Sequence, residues 1–253
     1  MSQAPTFALF VSFTILACGG IAPSPTRAID DGLVGLWNLD ETSAHTAARG
    51  DFSDTSGDGN DGTSEGDVTF GVAGKMGRAA AFTNGGHVIV GPNAPRPSSA
   101  VSASAWIRAA QNVDFYPQIV TMGDATGLTG YNLYVYSPDD QGVASFIVKE
   151  GDDAWGSCWA QGTRDVRDGQ WHHLVGVYDG KTISIWVDGV QQSSAQCTGQ
   201  PIDYGQSPLG EIASKASTST FEGTLDQVAV WNRALAPDDI AALYASGAGE
   251  QLP

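Results

Sequence analysis

The sequence predicts an all-β fold in which two antiparallel sheets pack face to face, with one short helix near the C-terminus. Short runs of apolar and β-branched residues recur along the chain, and clusters of glycine and aspartate separate them. Glycine accounts for 32 of the 253 residues and charged residues for only 16%, which is typical of many short strands joined by turns. About ten short strands in a chain of this length bury their apolar faces most simply in two packed sheets.

The clearest strands form a predicted hairpin between residues 173 and 192. His173–Tyr178 is followed by Thr182–Val187, where the side chains alternate with the period of two that marks a half-buried strand. Asp188 and Gly189 come next and supply the positive φ angles of a two-residue hairpin turn before Val190–Gln192.

Eight further strands and one helix complete the prediction. The strands are Leu33–Leu39, Ala79–Phe82, His87–Val90, Ala100–Ile107, Gln118–Met122, Tyr131–Tyr136, Ala144–Val148 and Leu225–Trp231. The helix is Pro237–Tyr244, because a proline opens its first turn, two aspartates follow near its positive end, and Gly247 lies just beyond its close.

The charge balance excludes one class of partner. Acidic residues number 28 against 12 basic residues, which gives a formal net charge of −16. Such a surface repels phosphate backbones and anionic lipid headgroups, so we expect no nucleic-acid partner. It attracts cations instead.

The first 28 residues have the character of an export signal. Phe7–Ala22 is an uncharged apolar run that is short for a membrane span, and Thr26–Ala28 offers small residues where a signal peptidase cuts. A second interpretation remains open, because Ile15–Gly19 resembles a bacterial lipoprotein cleavage box that would leave Cys18 as a lipid anchor. Both interpretations predict a secreted or cell-surface protein.

The cysteines agree with export. If Cys18 is removed or lipidated, Cys158 and Cys197 remain as an even pair in an oxidising compartment. We therefore predict a disulfide between them, and two free buried thiols are the alternative.

Five sequence motifs, spread from the first predicted strand to the last, carry a resemblance to a known family. They are Leu33–Glu41, Asp54–Gly62, Trp171–Val175, Val187–Val190 and Phe221–Leu235. In this order and spacing they resemble the LamG-like jelly-roll family of the concanavalin A-like lectin and glucanase superfamily. The resemblance covers about Gly32–Gly247 and implies a single jelly-roll domain over residues 29–253, often with a structural calcium ion. The ligand is left open, because one fold hosts many functions.

The stretch DTSGDGNDG, Asp54–Gly62, has the composition of a calcium loop. Calcium takes six to eight oxygen ligands, and glycines let a backbone curl around the ion. The spacing partly matches an EF-hand, but Asp61 stands where an apolar residue belongs and no amphipathic helices flank the loop. An EF-hand is therefore excluded.

The family resemblance implies where the structural calcium would lie. It assigns ligands to Asp54 and Asn60 in the loop, with Asp226 completing the cage from the other end of the chain. Ser56 and Asp58 are further candidate ligands; Asp58 stands where the family has an asparagine, and a surface charge is the alternative role for it. The ion would then fasten the first and last strands together. A solvated turn without metal is the alternative.

No catalytic motif stands out, so we predict a protein that is not an enzyme. The Glu-x-Asp-x-x-Glu strand of glucanases with this fold is missing, and Glu222 and Asp226 have the wrong spacing for it. His172 and His173 are adjacent, so on a strand they point to opposite faces and do not share one metal.

Aromatic residues mark the candidate binding surface. Trp155 and Trp159 lie in a turn-rich, acidic stretch beside Cys158, with Tyr116 and Tyr131 as possible neighbours on other loops. Exposed tryptophans flanked by carboxylates and amides suit the face of a sugar and its hydroxyls. The alternative is that these tryptophans cover an edge of the core.

Together these features predict an exported, non-catalytic binding module that is stabilised by calcium and binds a polysaccharide or glycan. The alternative function is a cell-surface adhesion or scaffold domain that binds a protein partner.

Overall fold

The fold is known from a computed structural model, which describes most of the chain after its first 27 residues. The described residues are 28–43, 51–90, 94–111, 116–124, 129–137, 141–151, 157–206, 208–214 and 219–252. The predicted export signal therefore lies outside them, apart from its last residue. Within this part of the chain, no helix is long and apolar enough to cross a membrane.

Thirteen strands and one α-helix form the described structure. The strands are β1 Leu33–Trp37, β2 Gly62–Ala73, β3 Arg78–Val90, β4 Val101–Ala109, β5 Gln118–Asp124, β6 Tyr131–Tyr136, β7 Val143–Lys149, β8 Ser157–Asp165, β9 His172–Tyr178, β10 Thr182–Val187, β11 Val190–Gln196, β12 Pro208–Ile212 and β13 Gly223–Trp231. The helix α1 is Pro237–Tyr244, followed by a 3₁₀ turn, Ala245–Gly247.

The strands follow one hydrogen-bonded order that folds over on itself. The order is β11-β10-β9-β4-β13-β3-β12-β5-β6-β7-β8, with β1 beside β13 and β2 beside β3, and the pairs are antiparallel. At the far end β7 packs against β9 and β10, and β8 packs against β10 and β11. Two layers therefore face each other, and the predicted antiparallel jelly-roll sandwich is confirmed.

The main core fills the space between the two layers. Phe82, Leu133, Phe146 and Ile185 are among its fully buried side chains. Burial of an aliphatic or aromatic side chain of this size stabilises the fold by about 1.5–3 kcal/mol.

A second, smaller apolar cluster lies under α1. Ile240 and Leu243 on one face of the helix pack with Trp231 and Val175, which point away from the main core. The sheet around β9 and β13 is thus buried on both faces. This burial explains why β9 and β13 contain nearly continuous apolar runs.

The disulfide between Cys158 and Cys197 is present, with its Cα atoms 5.5 Å apart, as predicted. Cys158 lies in β8, and Cys197 directly follows β11. Because β8 and β11 end the strand order, the bridge joins the two edges of the folded sheet. It also fixes the start of β8, where Trp159 lies.

Candidate functional site

The candidate binding surface is the face of strands β12, β5, β6, β7 and β8 that points away from the core. Successive side chains of a strand point to opposite faces. The core-facing members are Ile212, Val120, Met122, Leu133, Val135, Phe146, Val148, Cys158 and Ala160. Their neighbours in sequence therefore lie on the opposite face.

Five of these outward residues stand side by side across the five strands. The pairing register places Glu211 opposite Thr121, Thr121 opposite Asn132, Asn132 opposite Ile147, and Ile147 opposite Trp159. We call these five residues the outer row. Since neighbouring strands lie about 4.8 Å apart, the row is about 19 Å long. It begins with three polar residues and ends on an indole.

The polar half of the outer row is deeply placed and incompletely hydrogen-bonded. Glu211, Thr121 and Asn132 are only 2%, 3% and 3% exposed. Oε2 of Glu211 and Oδ1 of Asn132 are buried and have no hydrogen-bond partner in the structure. Because buried polar atoms are nearly always hydrogen-bonded, each of these two oxygens calls for a donor that the described residues do not supply, such as water or a ligand.

Aromatic side chains lie at the accessible part of the same face. Trp159 is 57% exposed and Tyr116 is 42% exposed. The ring of Tyr116 lies 6.3 Å from that of Tyr134 and 5.7 Å from that of Tyr136, and both partners are outward residues of β6. Burial raises the pKa of Tyr134 to about 12, so its phenol stays protonated.

The predicted sugar-binding residues are separated by the structure. Trp159 and Tyr116 are exposed on the face described above. Tyr131 is wrong as a surface residue: it is fully buried, its hydroxyl donates to the Pro95 carbonyl, and its ring packs against Phe146. Its position two residues before core-facing Leu133 is the physical reason. Trp155 lies outside the described residues.

The sequence did not single out Glu211, Thr121 or Asn132. Each is a polar residue between two core-facing neighbours, a pattern that indicates a side chain on the outward face of its strand. However, these residues come from three strands that are distant in sequence, and only the strand order brings them into one row.

The glycine-rich loop is organised by one carboxylate. Oδ1 of Asp54 accepts hydrogen bonds from the backbone amides of Leu36 and Ser56, each 2.9 Å long, and Oδ2 accepts from the amide and the side chain of Asn60. Burial acts to raise the pKa of Asp54, but these hydrogen bonds outweigh it and the pKa lies below its ordinary value.

These contacts test whether Asp54 fits a calcium ion. A carboxylate has about four lone-pair sites, and four N–H donors already fill those of Asp54. In this arrangement Asp54 is a poor calcium ligand. Gly57 and Gly59 lie at positive φ, which lets the loop curl around the Asp54 carboxylate.

Asp226 lies in a different setting from the loop. Its Oδ2 accepts hydrogen bonds from the backbone amides of Lys75 and Met76, at 2.7 and 2.8 Å. Asp40 lies at the same turn, where its Oδ1 accepts from the amide of Arg78 at 2.6 Å. Burial raises the pKa of Asp226 to about 7, and the nearby Asp40 carboxylate adds to the rise.

The three acidic residues of the predicted calcium site do not form one compact group. Within the described part of the chain, Glu150 with Cys158 and Cys197 is the one group of three acidic, imidazole or sulfur ligands whose atoms lie within 4.8 Å of one another. The two sulfurs of that group are joined in the disulfide. Asp54, Asp58 and Asp226 therefore do not meet, whereas Asp40 and Asp226 share one turn.

The adjacent histidines point to opposite faces, as predicted. His172 lies between two carboxylates, with Nδ1 2.8 Å from Asp188 and Nε2 3.0 Å from Asp168. His173 is buried on the other face, where its ring lies 5.0 Å from that of Trp106. Burial lowers the pKa of His173 to about 4. The two imidazoles do not form a common site.

A family comparison agrees with this architecture. The model of the concanavalin A-like lectin/glucanases superfamily matches residues 82–241, which is more than half of the chain. The protein belongs to this superfamily. No curated protein sequence matches the chain.

Several solved structures share the fold at low sequence identity. Domain 4 of AbnA, a GH43 extracellular arabinanase from Geobacillus stearothermophilus solved with arabinotriose, is 17% identical with a TM-score of 0.63, over 86% of this chain and 98% of that one. The binding domain of Paraclostridial Mosquitocidal Protein 1 is 17% identical with a TM-score of 0.66, over 87% of this chain and 53% of that one.

A third similar structure is the binding domain of Botulinum neurotoxin DC in complex with rat synaptotagmin II. It is 15% identical with a TM-score of 0.63, over 87% of this chain and 52% of that chain. The superfamily member described here thus spans about half the length of the two toxin binding domains. The structures of the mosquitocidal protein and of the neurotoxin are both of binding domains.

Proposed function

We propose that the protein is an exported, non-catalytic carbohydrate-binding module, and that its saccharide lies along the outer row. The observation that carries this proposal is the composition of the row. Two buried oxygens without hydrogen-bond partners among the described residues, on Glu211 and Asn132, lie in the same row of paired residues as the exposed indole of Trp159. Saccharide sites combine an aromatic platform with a few convergent polar groups.

The chemistry of the row suits a sugar chain. Trp159 offers a flat apolar surface to a sugar ring, and Asn132 and Glu211 offer acceptors to its hydroxyls. A chain of sugar rings that starts at Trp159 follows the row inward across the strands. The arabinotriose complex of the similar arabinanase domain supports a saccharide as the ligand class.

We also propose a structural calcium ion, at Asp226 and Asp40 rather than at Asp54. Both carboxylates border the turn from Gly74 to Arg78, and an added Cβ at Gly74 would lie 2.7 Å from Oδ2 of Asp226. Carboxylates and backbone carbonyls are the oxygen ligands that calcium prefers. The ion would offset the repulsion between the two carboxylates and play no part in chemistry.

The export part of the proposal is supported by the disulfide, because such bridges persist in oxidising compartments. Cleavage near Ala28 and lipidation at Cys18 remain its two forms. Intact-mass measurement of the protein from its host envelope distinguishes them, since a lipidated Cys18 adds the mass of its acyl chains.

The binding proposal is tested by screening polysaccharides and oligosaccharides against the full chain and Trp159→Ala. We expect at least one saccharide to bind the wild type. Its affinity for Trp159→Ala should be lower by about tenfold or more, because the aromatic platform is lost. Val190→Ala is the matched control: Val190 is 60% exposed and lies on β11, so its truncation leaves affinity unchanged.

A second candidate function is protein binding at a cell surface, which the synaptotagmin II complex of the similar neurotoxin domain favours. Saccharide binding that survives Trp159→Ala places the site elsewhere on the molecule. A complete lack of saccharide binding by the folded wild type rejects the carbohydrate proposal and leaves protein binding as the candidate.

A further inference from the structure

We propose that the outer row selects a neutral, hydroxyl-rich saccharide and rejects anionic ones, with Glu211 as the specificity-determining residue. This inference rests on the proposed carbohydrate-binding function and specifies its ligand class. It follows from which atoms of the row lack partners, and from what those atoms require.

The two unpartnered atoms of the outer row are both hydrogen-bond acceptors. They are Oε2 of Glu211 and Oδ1 of Asn132. Thr121, which lies between them in the row, already uses its hydroxyl to donate to the side chain of Gln118 at 3.3 Å. A ligand in the row must therefore bring donors. Sugar hydroxyls donate hydrogen bonds, whereas carboxylate and sulfate groups only accept them.

Charge reinforces the same selection. Glu211 is 2% exposed and pairs with Ile89 on one side and Thr121 on the other, so water screens its carboxylate little. Placing a second anion beside it sets like charges together in a poorly screened site, which is strongly unfavourable. The net charge of −16 adds long-range repulsion.

In the described part of this face, two basic side chains near the outer row already have partners within the protein. Lys149 on β7 has its ammonium 2.8 Å from the Gly151 carbonyl, to which it donates. His87 on β3 faces outward and lies 3.7 Å from the carboxylate of Glu65. Both groups are held by other partners.

The test compares neutral and acidic ligands of matched backbone on the full chain. Suitable probes are methyl-esterified and de-esterified homogalacturonan, lactose and 3′-sialyllactose, and a panel of arabinan, xylan and β-glucan. We expect the neutral member of each pair that binds to do so at least about tenfold more tightly than its acidic counterpart.

Glu211→Gln removes the charge with little change of volume. We expect it to weaken neutral binding several-fold and to narrow the gap between neutral and acidic probes. The matched control is Glu250→Gln, which makes the same change in net charge at an exposed side chain near the C-terminus. The control keeps both the affinity and the discrimination of the wild type.

The outcomes separate this inference from the function beneath it. One outcome is that an acidic probe binds the wild type as tightly as its neutral partner, and that this binding is lost in Trp159→Ala. This outcome overturns the neutral selectivity and keeps the binding function. Glu211→Gln behaving like Glu250→Gln shows that no ligand contact depends on the Glu211 carboxylate and also overturns the inference. Binding of no probe at all rejects the carbohydrate function, and the inference fails with it. The wild-type comparison stands even where Glu211→Gln does not fold.

Discussion

Among single residues, His172 links two acidic side chains from different loops. Its two ring nitrogens contact Asp188 and Asp168, and Arg164 contacts the same Asp188 oxygen at 2.6 Å. Burial acts to lower the pKa of His172, but the two carboxylates outweigh it, so the pKa lies above its ordinary value. Through these contacts the ring ties the Asp188 hairpin turn to the loop before β9.

This contact predicts a pH-dependent contribution to stability. A raised folded-state pKa means that the contribution is complete below the unfolded value near 6.5 and is lost as pH rises through the folded pKa. We expect His172→Gln to lower the free energy of unfolding by about 1.5–3 kcal/mol at pH 5.5, and by less at pH 8.5. Thermal melts of both proteins across this range measure the difference.

Because the comparison is between two proteins at one pH, the titration of buried His173 cancels. Asp165 and Asp168 also face the ring of His172, but carboxylates with lowered pKa values do not titrate between pH 5.5 and 8.5. A stability difference that stays constant across the range would show that folding does not shift the pKa of His172.

Residue-scale prediction from sequence worked where local pattern decides the outcome. The alternation that identifies β6 as a strand also assigns Tyr131 to the core side, once Leu133 is recognised as buried. The sequence argument treated Tyr131 as a loop residue and missed this. Trp159 is exposed because it alternates with Cys158 and Ala160, both of which face the core.

At the scale of elements, the disulfide joins strands that end the sheet order. Cys158 lies in β8 and Cys197 follows β11, at a sequence separation of 39. A bridge across a loop of this length stabilises by roughly 4 kcal/mol in the chain-entropy estimate. The bridge also restrains the part of β8 that carries Trp159.

We therefore expect the double variant Cys158→Ala with Cys197→Ala to unfold at a lower temperature and to bind saccharide more weakly than the wild type. The loss of affinity follows because a less constrained β8 must be ordered on binding. Thermal melts and titration with a saccharide that binds the wild type measure both effects. Reducing agent lowers the melting temperature of the wild type alone; a wild type that reducing agent leaves unchanged contradicts the prediction.

Strands with buried alternation could be predicted, and exposed or irregular ones could not. β6 and β10 were predicted with their observed bounds, and α1 likewise. β2 was missed because most of its side chains are exposed or half-buried, so no apolar period marks it. β3 was predicted as two strands, because Asn84 and Gly85 interrupt it in left-handed conformations while its pairing with β2 continues on both sides.

At the scale of the whole molecule, the first and last strands are neighbours in the sheet. β1 pairs with β13, and Leu36 lies opposite Ala229. Asp40 directly beyond β1 and Asp226 within β13 both contact the turn before β3. A cation there would fasten early and late parts of the chain. The sequence prediction assigned the same role to an ion held by the loop at Asp54 together with Asp226.

We expect calcium to raise the melting temperature of the wild type, by roughly 5–10 °C at a hundredfold excess over its Kd, and EDTA to reverse the shift. Asp226→Asn should abolish the calcium-dependent shift. Asp54→Asn should keep the shift but melt at a lower temperature with or without calcium, because the loop loses its shared acceptor. Differential scanning calorimetry measures all three proteins.

A wild type with no shift in either direction removes the calcium proposal altogether. A shift that is lost in Asp54→Asn and kept in Asp226→Asn returns the ion to the glycine-rich loop.

The sequence by itself determined the class of fold, the hairpin at Asp188 and Gly189, the C-terminal helix and the cysteine pair. These depend on side-chain period, on positive φ and on residue chemistry, which are local properties. Only the tertiary structure decided that Glu211, Thr121 and Asn132 meet Trp159 in one row, and that Asp226 lies with Asp40. Strand order is set by how distant segments bury their apolar faces together, and a linear pattern does not specify which strands become neighbours.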